Sequence, residues 1–409
     1  MALALCLTLL PATALAAGGH THRICGKSGC TEAGHEEIAF SKWLTSGYGS
    51  GSALTLYYDE ADNISGYPVD QNDGNWLLNG GNYYLRTDVE NYKAFSVVKI
   101  NHTIVIKGNV TICLNGQTLE SIGENMPVFE VQSDATLTLT DCQNNNKGKV
   151  THASGVAGCG VKVESGGTFN MYSGTITGNT ASQGGGVCVN GGTFNLYGGT
   201  ITGNTAPKGG GVYVGNGGTF TMNGGTIGGT NDVDANKATN NTKTGTGGGV
   251  YVNGGKFNMN NGTISGNTAD LTDGGVGVYN KSTFNMSGGT ITGNTATQNG
   301  GGVGMYQTAT FEMSGTASIT DNTANQGGGV YVKVTGVDMN SGKFEMNGTS
   351  SVSGNTATQN GGGVYVESGT FTMNYSASVK GNTASGNTAD QGNGGGVYVK
   401  SGTFEMNGS

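Results

Sequence analysis

The chain has 409 residues, with 79 Gly and only 4 Pro, which puts Gly at 79/409, or 19%. That pairing excludes collagen, which needs abundant Pro, and the 34% hydrophobic content excludes a Pro/Gly-rich disordered linker. The formal charge of −8, with Arg23 and Arg86 the only arginines, leaves no basic footprint for nucleic acid.

Residues 1–17, MALALCLTLLPATALAA, read as a secretory signal peptide with a small-residue cleavage site at Ala14-Leu15-Ala16. Its apolar run is too short to span a bilayer, so the mature chain is expected to carry no membrane span and to be secreted or displayed on a bacterial surface. Residues 18–95 follow no repeat and hold both Trp43 and Trp76, with an acidic stretch from Asp59 to Asp73. They are expected to cap the first open end of the β-rich region downstream. Within them His20, His22, Cys25, Cys30 and His35 form H-x-H-x2-C-x4-C-x4-H, a set of zinc-type ligands. In an exported chain a Cys25–Cys30 disulfide is the alternative, so no metal or cofactor is assigned. Residues 96–157 predict two irregular coils, with strands at 103–106, 110–114, 128–131 and 136–139. Cys113 and Cys142 fall about one coil apart and are a further candidate pair.

From residue 158 to 409 an internal repeat takes over. GGGVYV recurs at 209–214, 247–252, 327–332, 361–366 and 394–399, with variants such as GCGVKV at 158–163 and GGGVCV at 184–189. Between copies run a T-F-N-M segment and a G-G-T-I-T-G-N-T-A segment, each alternating with period two. Three short strands and three Gly corners per repeat of 25–27 residues describe one coil of an all-β, right-handed parallel β-helix. About 11 coils would stack to roughly 50 Å at the usual strand spacing. The pattern places Phe on Phe, Met on Met and Val/Ile on Val/Ile in the core, with Asn179, Asn204, Asn267, Asn294, Asn322, Asn355 and Asn382 as a turn ladder. Polar insertions at 230–246, 333–341 and 385–393 lengthen corners without disturbing strands. The final strand ends at Ser409 uncapped, so the sequence is expected to be a fragment of a longer protein.

The alternation of I-T-G-N with G-G-G-V (Ile201–Asn204 then Gly209–Val212; Ile291–Asn294 then Gly300–Val303) resembles the paired short motifs of chlamydial polymorphic membrane proteins. More broadly it is similar to secreted bacterial β-helix repeats. This resemblance implies an exported, surface-exposed, adhesin-like passenger.

Catalysis finds little support. Acid-polysaccharide lyases and hydrolases resemble this architecture but use an Arg or Lys base beside a carboxylate-held calcium, or clustered Asp with nearby His and Lys; no Arg occurs after position 86, and the only His residues of the helix are His102 and His152. Glu312 and Glu345, on consecutive strands, are the best carboxylate pair, yet Lys343 shares their face and a solvated charge ladder is expected. Asp232-Val233-Asp234-Ala235-Asn236 begins like a calcium loop but lacks its Gly and closing Glu. The outward slot of the first strand holds Tyr213, Tyr251, Tyr331, Tyr365 and Tyr398, with Tyr279 and Tyr306 nearby. An exposed aromatic column stacks on sugars or partner side chains, or it stabilises the sheet as a like-residue ladder. The sequence therefore predicts a non-catalytic structural or adhesin-like module, with this column as the expected contact for glycans or host proteins. A carbohydrate-active β-helix enzyme is the alternative.

Overall fold

The computed structural model describes residues 20–23, 37–40, 42–46, 55–58, 75–85, 97–142, 147–215, 217–239, 245–335, 342–386 and 390–408. The predicted signal peptide, the acidic stretch and Cys25, Cys30 and His35 lie outside them. Among the described residues there is no helix, hence none long and apolar enough to cross a membrane.

The chain winds into a right-handed parallel β-helix. Three long sheets run its length. A 12-stranded sheet carries the Val-Tyr-Val segments, a 14-stranded sheet the Thr-Phe-Asn-Met segments, and an 11-stranded sheet the Thr-Ile-Thr segments. Core positions pair with the same positions one coil away, Phe194 with Phe220, Phe220 with Phe257 and Ile264 with Ile291, and the register shifts only at strand ends such as Lys333 opposite Ser368. A side-chain period of two makes a one-residue slip prohibitive, since it would turn Phe and Met outward together.

Two features differ from the sequence expectation. First, the coil has a short fourth strand, built from the Thr-Ala that comes after the ladder Asn, as in Thr268–Ala269 and Thr295–Ala296. Two-residue strands carry too little alternation to register as a period. Second, the helix starts inside the region expected to be only a cap. Trp76–Leu78 and Gly81–Leu85 pair in parallel with Ile104–Ile106 and Asn109–Cys113. Upstream of them Lys42–Ser46 continues the Phe sheet and turns antiparallel onto Thr55–Tyr58.

The core is a set of like-residue columns. Nine Phe rings from Phe169 to Phe404 stack at 4.6–5.0 Å between centroids. Met222, Met259, Met286, Met313 and Met346 lie buried two residues beyond them. Each ring is enclosed by its neighbours above and below, so truncating one opens a cavity that the stacked sheets cannot collapse. Phe257→Ala is expected to cost about 4 kcal/mol. Chemical denaturation should show an earlier midpoint, and an unchanged midpoint would contradict this packing.

The glycine corner has its origin in the same stacking. A Cβ on Gly249 would lie 2.7 Å from the Gly275 carbonyl oxygen, 2.9 Å from Ile264 Cγ2 and 3.0 Å from Asn267 Nδ2. The third Gly of GGGVYV is therefore fixed by the neighbouring coil, which fills the space a side chain would need.

Candidate functional site

The tyrosine slots are built by the corner that precedes them. In GGGVYV the first Gly takes a positive φ, +67° at Gly247, and doubles the chain back so that a Cβ there would sit 2.8 Å from Tyr251 Cβ. The Tyr of the next strand then points away from the Val core, as period two requires. It does not reach solvent. Tyr213 and Tyr251 are 5% exposed, Tyr331 1% and Tyr365 2%, while Tyr398 is half-buried. The segment leading into each glycine corner covers the rings. That segment forms its own line of bridges through Lys208, Thr246, Thr272, Asn299 and Gln326. Lys208 Nζ lies 5.9 Å over the Tyr251 ring, and the Thr272 and Tyr279 hydroxyls meet at 3.2 Å.

The column is thus a second core outside the Val sheet and not the exposed contact row expected from alternation. Seven rings form one stack, Tyr213–Tyr251–Tyr279–Tyr306–Tyr331–Tyr365–Tyr398, with centroid separations of 4.5–5.8 Å. Burial pushes the phenols of Tyr251, Tyr279, Tyr306, Tyr331 and Tyr365 up. Tyr365 rises to about 12, through burial first and then the nearby Glu367 and Tyr398. The Tyr331 hydroxyl donates to Glu367, whose other carboxylate oxygen pairs with Lys333 at 3.1 Å. These contacts hold the Glu367 carboxyl below its usual range although burial acts in the opposite direction.

In the middle of the stack two coils break the motif together. Gly277 and Gly304 occupy the Tyr slots, opposite Tyr251 and Tyr331. Tyr279 and Tyr306, two residues later, swing their rings into the gap. Asp273 replaces the first corner Gly at φ +66° and is fully buried. Tyr279 Oη donates to its Oδ2 at 2.6 Å and Tyr306 Oη to its Oδ1 at 3.1 Å. Thr272 Oγ1 donates to Oδ2 at 3.0 Å. A Cβ on Gly304 would lie 1.7 Å from Asp273 Oδ1, so glycine there makes room for the carboxyl. Burial raises the Asp273 carboxyl to about 7, against the three hydroxyl donors that favour its ionised form. Sequence reasoning missed this cluster. Its signal is the departure of Asp273–Tyr279, DGGVGVY, from GGGVYV, in which one Gly becomes acidic just where a Tyr becomes Gly.

The other candidates occupy separate places. Glu312 and Glu345 are register partners on adjacent strands of the Phe sheet. Lys343 pairs with Glu345 at 2.9 Å and Asn347 Nδ2 donates to Glu312 at 3.2 Å, so both belong to a surface polar ladder. In the calcium-like stretch Asn236 is buried and its amide joins the Asn ladder, donating to Asn267 Oδ1 at 2.9 Å. The insertion therefore restores the ladder after its loop, and Asn236 is a member that the GNTA pattern misses. The ladder residues Asn179, Asn204, Asn236, Asn267, Asn294, Asn322 and Asn355 are all buried, each amide donating to the next. His20 and His22 lie on the strand His20–Arg23, which pairs antiparallel with Glu37–Phe40. Their three proposed co-ligands lie outside the described residues.

What does face solvent is the outer side of the Phe sheet. Its slots carry polar ladders such as Asn195 on Asn170 at 2.9 Å, Asn285 on Asn258 at 3.2 Å and Asn260 on Asn223 at 2.8 Å. At the level of Tyr172 and Tyr197 the ladder becomes aromatic. These rings stack at 4.6 Å and 12°, and Tyr197 is 41% exposed.

The Chlamydia polymorphic membrane protein repeat matches residues 349–367 of this chain. That stretch runs from the Ser351–Ser353 strand through ladder Asn355 and the glycine corner to Tyr365 and Glu367. No curated protein and no solved structure matches the chain. The protein is a parallel β-helix repeat protein that resembles the polymorphic membrane proteins.

Proposed function

We propose that the protein is a non-catalytic, adhesin-like β-helix displayed at the bacterial cell surface, and that it binds glycans or host proteins through the outer face of its Phe sheet. The repeat match carries this reading, because it falls on the solenoid's own structural unit. The surface chemistry supports it. The outer face is a long, flat array of Asn, Thr and Ser groups already bonded along the helix axis, with donors and acceptors left over for a polymeric partner. Pre-ordered polar rows bind with little conformational cost. The stacked Tyr172–Tyr197 pair supplies an apolar platform on that face, of the kind that packs against a sugar ring. The buried Tyr331 and Tyr365 take the structural role instead.

The test is a glycan array and host-cell binding assay with three proteins. Tyr172→Ser/Tyr197→Ser is expected to lose up to about tenfold in affinity, the worth of one stacked aromatic contact. Tyr331→Phe, which keeps the buried ring, is expected to bind as wild type. Equal binding by the double variant and wild type would remove the aromatic platform. Protease shaving of intact cells checks the location, and full protection of the solenoid would count against surface display.

A further inference from the structure

Four cysteines of the described helix fall into two pairs of the same sequence separation, one coil in each case. Cys113 ends the strand Asn109–Cys113, and Cys142 comes just after the strand Thr136–Thr140 on the next coil, where Thr140 lies opposite Cys113. The two thiols are hydrogen-bonded to each other, and Cys142 Sγ also donates to Asn115 Oδ1 at 3.2 Å.

The second pair is set by the corner geometry. Cys159 stands in the second glycine slot of its corner, which Gly185 fills one coil later, since Val161 pairs with Val187 and Gly160 N bonds to the Gly185 carbonyl. Cys188 stands in the slot that Tyr213 fills one coil later. Cys159 and Cys188 pack together with Tyr213 and Tyr251 in one buried cluster beside that corner. Burial pushes the Cys159 and Cys188 thiols up, Cys188 to about 11, so both stay protonated and unreactive once the coils close.

We propose that Cys113 with Cys142, and Cys159 with Cys188, form inter-coil disulfides under oxidising conditions, each stapling one coil to the next at the N-terminal half of the solenoid. Their presence in the native protein rests on the surface location proposed above. The oxidant is the disulfide of a thiol–disulfide oxidoreductase or of oxidised glutathione. One cysteine thiolate attacks it, forming a mixed disulfide and releasing one donor thiol. The second cysteine then displaces the other donor thiol, so two electrons and two protons pass to the donor for each bond made. Because three of the four thiols are buried in the finished helix, the exchange takes place while the coils assemble.

The reduced chain is refolded in a glutathione redox buffer, denatured without reductant, alkylated with iodoacetamide and mapped by peptide mass. Peptides joining 113 to 142 and 159 to 188 are expected, with the four thiols unlabelled. Four labelled cysteines, or crossed links such as 113 to 159, would overturn the assignment. In Cys188→Ser, Cys159 alone should become labelled while the 113–142 link remains, and a new partner for Cys159 would overturn the second pair. The same mapping on protein from its own host separates the two readings. Links formed in the refolding buffer but free thiols in the host uphold the pairing and overturn the surface location.

Discussion

Asp273→Asn will be more stable than the wild type by about 4 kcal/mol at pH 8 and by only about 1 kcal/mol at pH 4.5. The margin comes from the carboxyl's displacement from 3.8 in an ordinary environment to about 7 in the fold. Its sign is fixed by which state holds the proton. Between pH 4 and 7 the folded protein keeps the Asp273 proton while the unfolded chain has lost it. The folding contribution of this group is therefore fully present below about pH 3.8 and lost as pH rises through about 7. Over that window wild-type stability should fall by up to about 1.4 kcal/mol per pH unit relative to the variant. Asn preserves the shape and, like Asp, tolerates the left-handed backbone at this position. The groups facing the carboxyl are the hydroxyls of Thr272, Tyr279 and Tyr306, with Tyr251 and Tyr331 further along the stack, and burial keeps their phenols neutral throughout. Denaturant titrations of both proteins from pH 4.5 to 8 measure the difference directly, and other carboxylates cancel in it. Parallel pH profiles would show that Asp273 ionises freely and that its burial is not as described.

Asn294→Ala should produce the other large effect, a loss on the order of 4 kcal/mol concentrated around one coil. Asn294 Nδ2 donates to Asn322 Oδ1 at 2.9 Å and to the Ile264 carbonyl at 3.0 Å. Its Oδ1 accepts from Asn267 Nδ2 at 2.9 Å and from the Asn267 backbone N–H at 3.0 Å. Alanine strands several of these groups at once in a fully buried channel where no water replaces them. Hydrogen exchange should show lost protection in Thr263–Ser265 and Thr290–Thr292 before the helix melts as a whole. A variant with wild-type exchange and midpoint would mean that the ladder contributes little. The same substitution at Asn382, at the half-buried end of the row, should cost less.

The repeat makes most of this architecture legible. Val212 and Val214 facing inward, Phe220 over Phe257 and Met222 over Met259 all derive from period two within a strand and from a fixed spacing between copies. In a solenoid the contacts that build the core join equivalent positions, so a one-dimensional pattern states them completely. The Asn ladder is legible for the same reason, except at Asn236. There a loop separates the residue from its usual Ile-Thr-Gly context, and Ala-Asn-Lys-Ala stands in place of Gly-Asn-Thr-Ala.

The tyrosines mark where that reasoning stops. Alternation states that Tyr213, Tyr251, Tyr331 and Tyr365 point away from the Val core, and they do. It does not state what lies on the far side. That is decided by the short Thr-Ala strands and the segment after them, too brief to show a period, which fold over the rings and turn an outward row into a second core. Asp273 is hidden by the same fact, because a carboxyl in a corner reads as solvated until its neighbours in three coils are in place.

Composition alone points to turns, through abundant Gly, scarce Pro and little charge. By itself the sequence determined the coil, its columns and its register, because each depends on local alternation repeated at a fixed interval. Only the tertiary structure decided which outward slots meet water, since burial depends on how separate stretches of chain pack over one another. It therefore also decided that Asp273 titrates near neutrality and that the exposed aromatic pair is Tyr172 and Tyr197.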